Sequence, residues 1–415
     1  MNRAIFGRTE DLVGARSGPV RNLFPMSERK RMTRRMVLAA LTLAAAMVVC
    51  AHAAGVTKYR VYVGTYTEHG SKGIYVCDFD AATGQLSVPR LAAESLQPSF
   101  LAIAPDNKFL YASNEVDAFN GKVAGAVSAF SIGAESGALN FLNQVSSRGP
   151  GPAFIVVDRS GRYVLVANYD GGSAAVFRLL ADGKIGESTA FAQHRGSSVN
   201  HERQEGPHAH AVALSPDNRF AIVADLGIDE LLVYPFDAAR GTLGEARVVK
   251  AEPGVGPRHL AFGVNGQFVY VINELSSTIT VYSYDAGDGA MTKVQDISAL
   301  PGKFSGTSTA AEIVVHPSGN FLYASNRGDD SIASFAVDPA HGTLTPIQRI
   351  ATRGKTPRSF AIDPSGQWLI AANQGSNSLV TFRIDKQSGR LTTIDESMEI
   401  NSPAMVDFAR DGGEK

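Results

Sequence analysis

The chain has 415 residues, 44% of them hydrophobic and 19% charged, so it is long enough for a large core. The chain has 39 basic and 40 acidic residues. Residues 1–35 contain nine of the basic and three of the acidic residues, which leaves 30 basic and 37 acidic residues for the rest of the chain. An acidic body of this kind is unsuited to nucleic acid, because phosphate binding requires clustered Lys and Arg. The 41 Gly and 19 Pro favour many short strands joined by turns.

Residues 1–53 have the pattern of an N-terminal extension that ends in a signal peptide. A basic segment, residues 29–35, precedes the apolar run Met36–Val49, which is shorter than the about 20 residues that span a membrane. The small residues of Ala51–Ala53 predict cleavage after Ala53, no stable membrane insertion afterwards, and a periplasmic or secreted protein. Two adjacent arginines in the basic segment fit either a twin-arginine signal or an ordinary Sec signal.

One sequence pattern recurs along the rest of the chain. It consists of a Pro or small residue, an alternating apolar strand, a turn with Gly or Asn, an aromatic residue and a second strand. Its copies begin 46 to 57 residues apart, at Pro98, Pro152, Ala209, Pro257, Ala310, Pro357 and Pro403. This spacing suits the four-stranded blade of a β-propeller, and a β-sandwich with coincidental internal similarity is the alternative.

The seventh copy stops after its first strand, and the strands that it lacks are found in the segment Tyr59–Asp80. Closing the ring with strands from both termini would remove exposed sheet edges. We therefore predict an all-β domain over residues 57–410. It is a seven-bladed propeller of four-stranded antiparallel blades, whose last blade combines N- and C-terminal strands.

Two residue positions of each blade are predicted to lie at the same rim of the channel, since the first strand starts where the second ends. The residues just after the seven starts are Ser99, Ala153, His210, Arg258, Ala311, Arg358 and Ala404. The residues just after the second strands are Glu115, Tyr169, Leu226, Glu274, Arg327 and Gln374, with Tyr66 from the N-terminal strands. Packing alone would allow small residues throughout, yet blades three to six carry charged residues. Charges of both signs at one mouth predict a site for a small anionic ligand; solvated ion pairs of little energetic value are the alternative.

A long connection, Gln193–Pro207, precedes blade three and is predicted to cover this mouth. It leads to His208 and His210, which would point the same way if they alternate on a strand. Zinc requires about three protein ligands, and no third ligand accompanies this pair, so we expect neither a metal nor another cofactor. The sequence has no phosphate loop and no Gly-x-Ser-x-Gly elbow, which disfavours nucleotide chemistry and a serine triad.

Several of these segments resemble the bacterial propeller-type 6-phosphogluconolactonases, a family shared with the fungal carboxymuconate lactonising enzyme. The most specific are Gly206–Phe220 with Asp225–Gly227, Gly256–His259, Asn273–Leu275 and Ser325–Gly328. The opening segment Tyr62–Thr67 is also typical of the family, and the resemblance extends from about Tyr59 to Phe408. In the lactonising branch a His, two Arg and a Glu are implicated. By motif they fall on His210, Arg258, Arg327 and Glu274.

The resemblance implies a metal-independent lactonase that hydrolyses a small, anionic, sugar-type lactone. We expect His210 to take a proton from water, with His208 as the nearest alternative for this role. Arg258 and Arg327 would bind the substrate's phosphate or carboxylate or stabilise the oxyanion, and Glu274 would orient an arginine or the histidine. His208, Arg358 and Glu115 are the expected further contacts to the substrate.

Two alternatives remain open from the sequence. The first is a carboxymuconate-type lactonising cycloisomerase that uses the same residues. The second is a non-catalytic periplasmic propeller that binds an anionic ligand or a protein, since a fold does not fix a function.

Overall fold

The computed structural model describes residues 58–410, which form seven antiparallel β-sheets arranged as the blades of a propeller. The predicted all-β architecture is confirmed. The N-terminal extension, the predicted signal peptide and its cleavage site after Ala53 lie outside the described residues. Within the described part of the chain, no helix has the length and apolar character needed to cross a membrane.

The first three complete blades follow four N-terminal strands. These four are β1 (Lys58–Thr65), β2 (Gly73–Asp80), β3 (Gln85–Leu86) and β4 (Arg90–Glu94). Blade one contains β5 (Pro98–Ile103), β6 (Phe109–Asn114), the small hairpin β7 (Ala118–Phe119) and β8 (Lys122–Val123), then β9 (Ala126–Ile132) and β10 (Leu139–Ser146). Blade two contains β11 (Pro152–Val157), β12 (Tyr163–Asn168), β13 (Ser173–Leu179) and β14 (Ile185–Gln193). Blade three contains β15 (Ala209–Leu214), β16 (Phe220–Asp225), β17 (Glu230–Asp237), β18 (Thr242–Leu243) and β19 (Arg247–Lys250).

The remaining blades repeat this order. Blade four contains β20 (Pro257–Phe262), β21 (Phe268–Asn273), β22 (Thr278–Tyr284) and β23 (Met291–Ser298). Blade five contains β24 (Thr309–Val315), β25 (Phe321–Arg327), β26 (Ser331–Val337) and β27 (Leu344–Ala351). Blade six contains β28 (Pro357–Ile362), β29 (Trp368–Asn373), β30 (Ser378–Ile384) and β31 (Leu391–Glu399). Two short 3-10 helices, Thr67–His69 and Gln374–Ser376, lie in connections.

Blade seven is closed by strands from both ends of the domain, as predicted. Its innermost strand is β32 (Pro403–Arg410), which pairs antiparallel with β1 from Tyr59 opposite Arg410 to Thr65 opposite Pro403. A hydrogen bond of 2.8 Å from Trp368 Nε1 to the carbonyl of Ala81 adds a contact between blade six and the N-terminal strands. Both contacts join segments that are far apart in sequence, so the ring closes only when the whole domain has folded.

The core lies in the inner strands of the blades. The second strand is covered on both faces, and every residue of β12, β16, β21 and β29 is buried. This explains why these strands are continuous apolar runs, whereas outer strands such as β23 are largely exposed and polar. The rigid inner strands are the ones that hold the rim positions identified from the sequence.

A β-bulge occurs at the start of the innermost strand in all seven blades. The residues that the register skips are Ser99, Ala153, His210, Arg258, Ala311, Arg358 and Ala404, with Glu312 also skipped in blade five. A bulge disrupts pairing locally and re-aims a side chain. The residue after each repeat start is therefore a special backbone position, and not simply the second residue of a regular strand.

The second set of rim positions is fixed by a shared backbone hydrogen bond. In six blades the N–H of the residue after the second strand donates to the carbonyl just before the innermost strand, at 2.7 to 3.0 Å. The six donors are Tyr66, Glu115, Tyr169, Leu226, Glu274 and Gln374. The two positions are therefore neighbours at one rim, which confirms the register inferred from the repeats.

Candidate active site

Glu274 lies among the charged residues of this rim and is bonded by three guanidinium groups. Arg203 Nη2 donates to Oε1 at 2.7 Å, and Arg258 Nε and Arg327 Nη2 reach Oε2 at 3.0 and 2.8 Å. Burial by itself would raise the pKa of Glu274, but Arg327 and Arg258 outweigh burial and lower that pKa to about 2. The carboxylate is ionised and is bonded to three arginines, whereas within the described residues no hydrogen bond joins it to His210. Of the two partners predicted for Glu274, an arginine or the histidine, the structure therefore shows the arginines.

The two arginines predicted as catalytic are also fixed by the backbone of blade five. Arg258, which is 2% exposed, donates from Nη1 to the carbonyl of Ala311 at 2.6 Å. Arg327 donates from Nη2 to the carbonyl of Ala310 at 3.1 Å. Burial lowers the pKa of Arg258, and the neighbouring Arg327 adds to this effect. Both guanidiniums are held rigidly, with much of their donor capacity already used.

Arg203 is a site residue that the sequence did not reveal. It lies in the connection Gln193–Pro207, and its Nη2 donates to the hydroxyl of Tyr169 at 3.1 Å as well as to Glu274. The side chain of Arg203 is 38% exposed. The connection thus reaches the rim, as predicted, but through an arginine that has no counterpart in the repeat.

The two histidines of blade three differ in their surroundings. His208 precedes β15, and the bulge at His210 breaks the alternation, so the expected regular strand geometry is wrong. His208 stacks on the ring of Tyr169 with centroids 4.4 Å apart, its Nδ1 lies 3.1 Å from the carbonyl oxygen of Tyr169, and its Nε2 lies 3.4 Å from Glu205. The ring of His208 is therefore engaged at both nitrogens.

His210 is 4% exposed and meets the edge of the Tyr169 ring at 5.5 Å. Its Nδ1 is buried without a hydrogen-bond partner among the described residues. Burial, followed by the charge of Arg258, lowers the pKa of His210 well below 6.5. The imidazole is neutral at pH 7, which is the form that can accept a proton.

A second group of side chains involves Glu115 and Arg358. The hydroxyl of Tyr66 donates to Glu115 Oε2 at 2.7 Å, and the guanidinium of Arg358 lies 5.1 Å from the centroid of the Tyr66 ring. Burial raises the pKa of Tyr66, so the phenol remains a neutral donor. Arg358 forms no hydrogen bond or ion pair within residues 58–410, in contrast to the three arginines on Glu274. None of its donors is used by Glu274, so they are available to a ligand.

Another histidine of the long connection has a structural partner. His194 is buried, and its Nδ1 lies 2.6 Å from Asp225, which also accepts the backbone N–H of His208. In the part of the chain that the structure covers, no three His, Cys, Asp or Glu side chains are grouped so that they could hold a metal ion.

A seven-bladed propeller with an arginine-rich site at one mouth of its channel is the arrangement expected of a propeller-type lactonase. The family model "Lactonase, 7-bladed beta-propeller" matches residues 60–408. The chain belongs to this lactonase family, which confirms the resemblance read from the motifs.

Individual relatives agree with this assignment. A 6-phosphogluconolactonase of Bacillus subtilis is 38% identical over 304 residues, which are 73% of this chain and 85% of that protein. A 6-phosphogluconolactonase of Formosa agariphila is 35% identical over 307 residues, 72% of this chain and 85% of that protein. The solved structure of a periplasmic gluconolactonase from Pseudomonas aeruginosa superimposes with a TM-score of 0.79 at 36% identity, and the match covers 85% of this chain and 99% of that one.

The substitution Glu274→Gln should destabilise the protein at pH 7. Breaking a buried ion pair costs about 3 kcal/mol of unfolding free energy, because the remaining guanidiniums lose their counter-charge. The pKa of Glu274 is lowered from 4.5 to about 2 in the folded protein, so its contribution is complete above pH 4.5 and is lost as the pH falls towards 2. Urea unfolding of the wild type and of Glu274→Gln should show that the difference in their unfolding free energies shrinks as the pH falls from 4.5 towards 2.

Arg203→Gln is the matched control, since it removes the partly exposed member of the same cluster. Its effect on the unfolding free energy should be well below that of Glu274→Gln. Equal losses, or a Glu274→Gln difference that does not change between pH 5 and pH 2, would contradict the assignment of Glu274 as the buried counter-charge.

Proposed function

We propose that this chain hydrolyses the ring of a sugar-type lactone that carries an anionic group, as in 6-phosphogluconolactone, and that it does so without a metal ion. Family membership supports the reaction class. The observation that carries the proposal is the neutral, buried His210 beside a rim rich in guanidiniums, of which one is unpaired. A base and a set of fixed positive charges are what the opening of a lactone requires.

The proposed reaction begins when His210 Nε2 takes a proton from water as the water oxygen attacks the ring carbonyl carbon. Negative charge develops on the carbonyl oxygen, where Arg258 and Arg327 stabilise it with little reorganisation, because Glu274 already holds them in place. The bond from the carbonyl carbon to the ring oxygen then breaks, and protonated His210 returns its proton to that oxygen. The product is a hydroxy acid, which releases one proton to solvent when it ionises.

His210 suits the role of base better than His208. Both ring nitrogens of His208 already have partners, whereas His210 forms no hydrogen bond in the described chain. Arg358 suits the role of anion contact better than Arg258 or Arg327, because its donors are not used by Glu274. Glu115 holds the Tyr66 ring on which Arg358 rests, so its part in substrate binding is indirect.

His210→Ala should lower kcat on the order of 10²-fold for 6-phosphogluconolactone, since a positioned general base contributes about that factor. Because the pKa of His210 is lowered, the wild-type base stays unprotonated below pH 6.5, and kcat/KM should hold until well below that pH. Turnover is measured by the release of acid, with a chelator present throughout. The control His341→Ala removes an exposed histidine and should leave turnover unchanged.

Several outcomes would contradict the proposal. Unchanged turnover in His210→Ala would remove that residue from the mechanism, and loss of turnover with the chelator would show a metal requirement. A product of the same mass as the substrate would indicate the cycloisomerase, whereas hydrolysis adds one water. If no lactone in a broad panel is opened, the protein is a binding propeller.

Arg358→Gln should raise KM about tenfold for the phosphorylated lactone, because a charge-assisted hydrogen bond to the anion is lost. The KM for the uncharged gluconolactone should not change. Arg383→Gln, which alters an exposed arginine of the same blade, is the control. If Arg358→Gln raises the KM for both substrates equally, Arg358 does not bind the anionic group.

We also infer that the protein is exported and that its mature chain begins at Ala54. The basic segment, the apolar run and the small residues before the cleavage site support this, as does the likeness to a protein named as a periplasmic gluconolactonase. N-terminal sequencing of the periplasmic fraction should give Ala54 as the first residue. A full-length chain found only in the cytoplasm would refute export, and loss of export when both arginines at positions 34 and 35 are changed to lysine would identify the twin-arginine route.

A further inference from the structure

A buried acid–histidine pair lies next to His210, outside the set of rim positions. His259 is 3% exposed, and its Nδ1 lies 2.8 Å from Glu312 Oε1. The other carboxylate oxygen accepts a hydrogen bond of 3.3 Å from Ser359 Oγ. Burial would raise the pKa of Glu312, but His259 and Arg258 outweigh it, and the carboxyl pKa is lowered. An ionised carboxylate only accepts hydrogen bonds, so His259 Nδ1 must carry the hydrogen.

This hydrogen bond determines what the other nitrogen of His259 can do. A neutral imidazole has one donor and one acceptor nitrogen, so His259 Nε2 is an acceptor. It is buried and has no partner among the described residues, and the same is true of His210 Nδ1. The two rings are in edge contact, with centroids 5.1 Å apart and planes at 68°. A direct hydrogen bond across this contact would give both buried nitrogens the partner that they lack.

We propose that His259, held by Glu312, is a positioning residue that fixes His210 in the tautomer with hydrogen on Nδ1. In a direct hydrogen bond between the two rings, the acceptor on His259 requires a donor on His210, so the lone pair of His210 is left on Nε2, which is the atom that takes the proton from water. The kinetic part of this inference rests on the proposed function, whereas the tautomer itself does not. The arrangement follows the general rule that a catalytic histidine is oriented by the partner of its second nitrogen.

The surroundings of the pair leave His259 few other roles. The rings of Phe100 and Phe154 meet its ring at 5.6 and 5.1 Å and are packed against each other at 4.1 Å. Glu312 also lines a channel cavity of about 360 Å³, together with Asp407, whose pKa is raised to about 6 by burial. The charged groups that act on the two histidines are therefore Glu312 and the arginines of the rim, with Asp407 acting on Glu312.

The tautomer can be measured without any substrate. In protein labelled with ¹⁵N-histidine, long-range ¹H–¹⁵N spectra at pH 7 should show His210 with a protonated Nδ1 and an unprotonated Nε2. The signals are assigned by their loss in His210→Ala. A protonated Nε2 would overturn the inference even if lactones are hydrolysed, whereas a protonated Nδ1 in a protein that opens no lactone would sink the proposed reaction alone.

Two substitutions of His259 test the kinetic consequence. In His259→Gln the amide N–H can donate to Glu312 and the amide oxygen can accept from His210, so the hydrogen-bond polarity is kept. In His259→Phe this hydrogen-bond polarity is lost, and kcat should fall on the order of 10²-fold with KM nearly unchanged. The kcat of His259→Gln should stay within about tenfold of the wild-type value. The acid limb of kcat/KM should move to lower pH in His259→Phe, because protonated His210 loses the hydrogen-bond acceptor that stabilises it.

Equal losses in the two variants, or a fall in kcat without movement of the acid limb, would show that His259 is only structural. If His259→Phe does not fold because Glu312 is left unpaired, the double variant His259→Phe/Glu312→Gln carries the same test. Asp407→Asn removes the group that titrates near pH 6 on the far side of Glu312. It should leave the acid limb in place, and a shift there would overturn the assignment of that limb to His210.

Discussion

A β-bulge near the start of each innermost strand determines where the side chains of the site point. Regular pairing would send alternate side chains to opposite faces, but the extra residue of a bulge takes its own direction. Four blades use this position for small residues, Ser99, Ala153, Ala311 and Ala404, which leave room at the mouth. The other three use it for His210, Arg258 and Arg358. One repeated backbone feature therefore supplies both the space of the site and its chemistry.

The arginines of the rim divide into two kinds by their electrostatic partners. Glu274 forms ion pairs with Arg203, Arg258 and Arg327. Because one carboxylate is shared among three guanidiniums, a fixed excess of positive charge remains. Such preorganised charge stabilises an oxyanion well, because it need not rearrange during the reaction. Arg358 rests on an aromatic ring instead and keeps its donors. The two tasks of holding an anion and stabilising a developing charge thus fall to different residues.

The sequence was sufficient for the ring, the split blade and most of the rim, because seven copies fix a common register and make an unusual residue stand out. It could not reveal Arg203, since the connection that carries this residue has no counterpart in other blades and its path is set by tertiary contacts. The sequence also could not decide which side chain Glu274 binds, because a carboxylate near both an arginine and a histidine can form a hydrogen bond with either one. His208 was misplaced by assuming regular alternation where the backbone bulges. Glu312 lies at a position skipped together with Ala311, so no repeat comparison marks it.

The environment of His210 contains opposing influences that an anionic substrate would rebalance. Burial and the nearby arginines lower its pKa, which keeps the ring neutral but makes it a weak base. In the proposed arrangement the acceptor nitrogen of His259 opposes them, because a hydrogen bond to it stabilises the protonated ring of His210. A phosphate or carboxylate bound at Arg358 would cancel one of the positive charges that act on His210. The base would then be stronger in the complex than in the free protein, so a substrate that carries the anion assists its own hydrolysis, and an uncharged lactone does not.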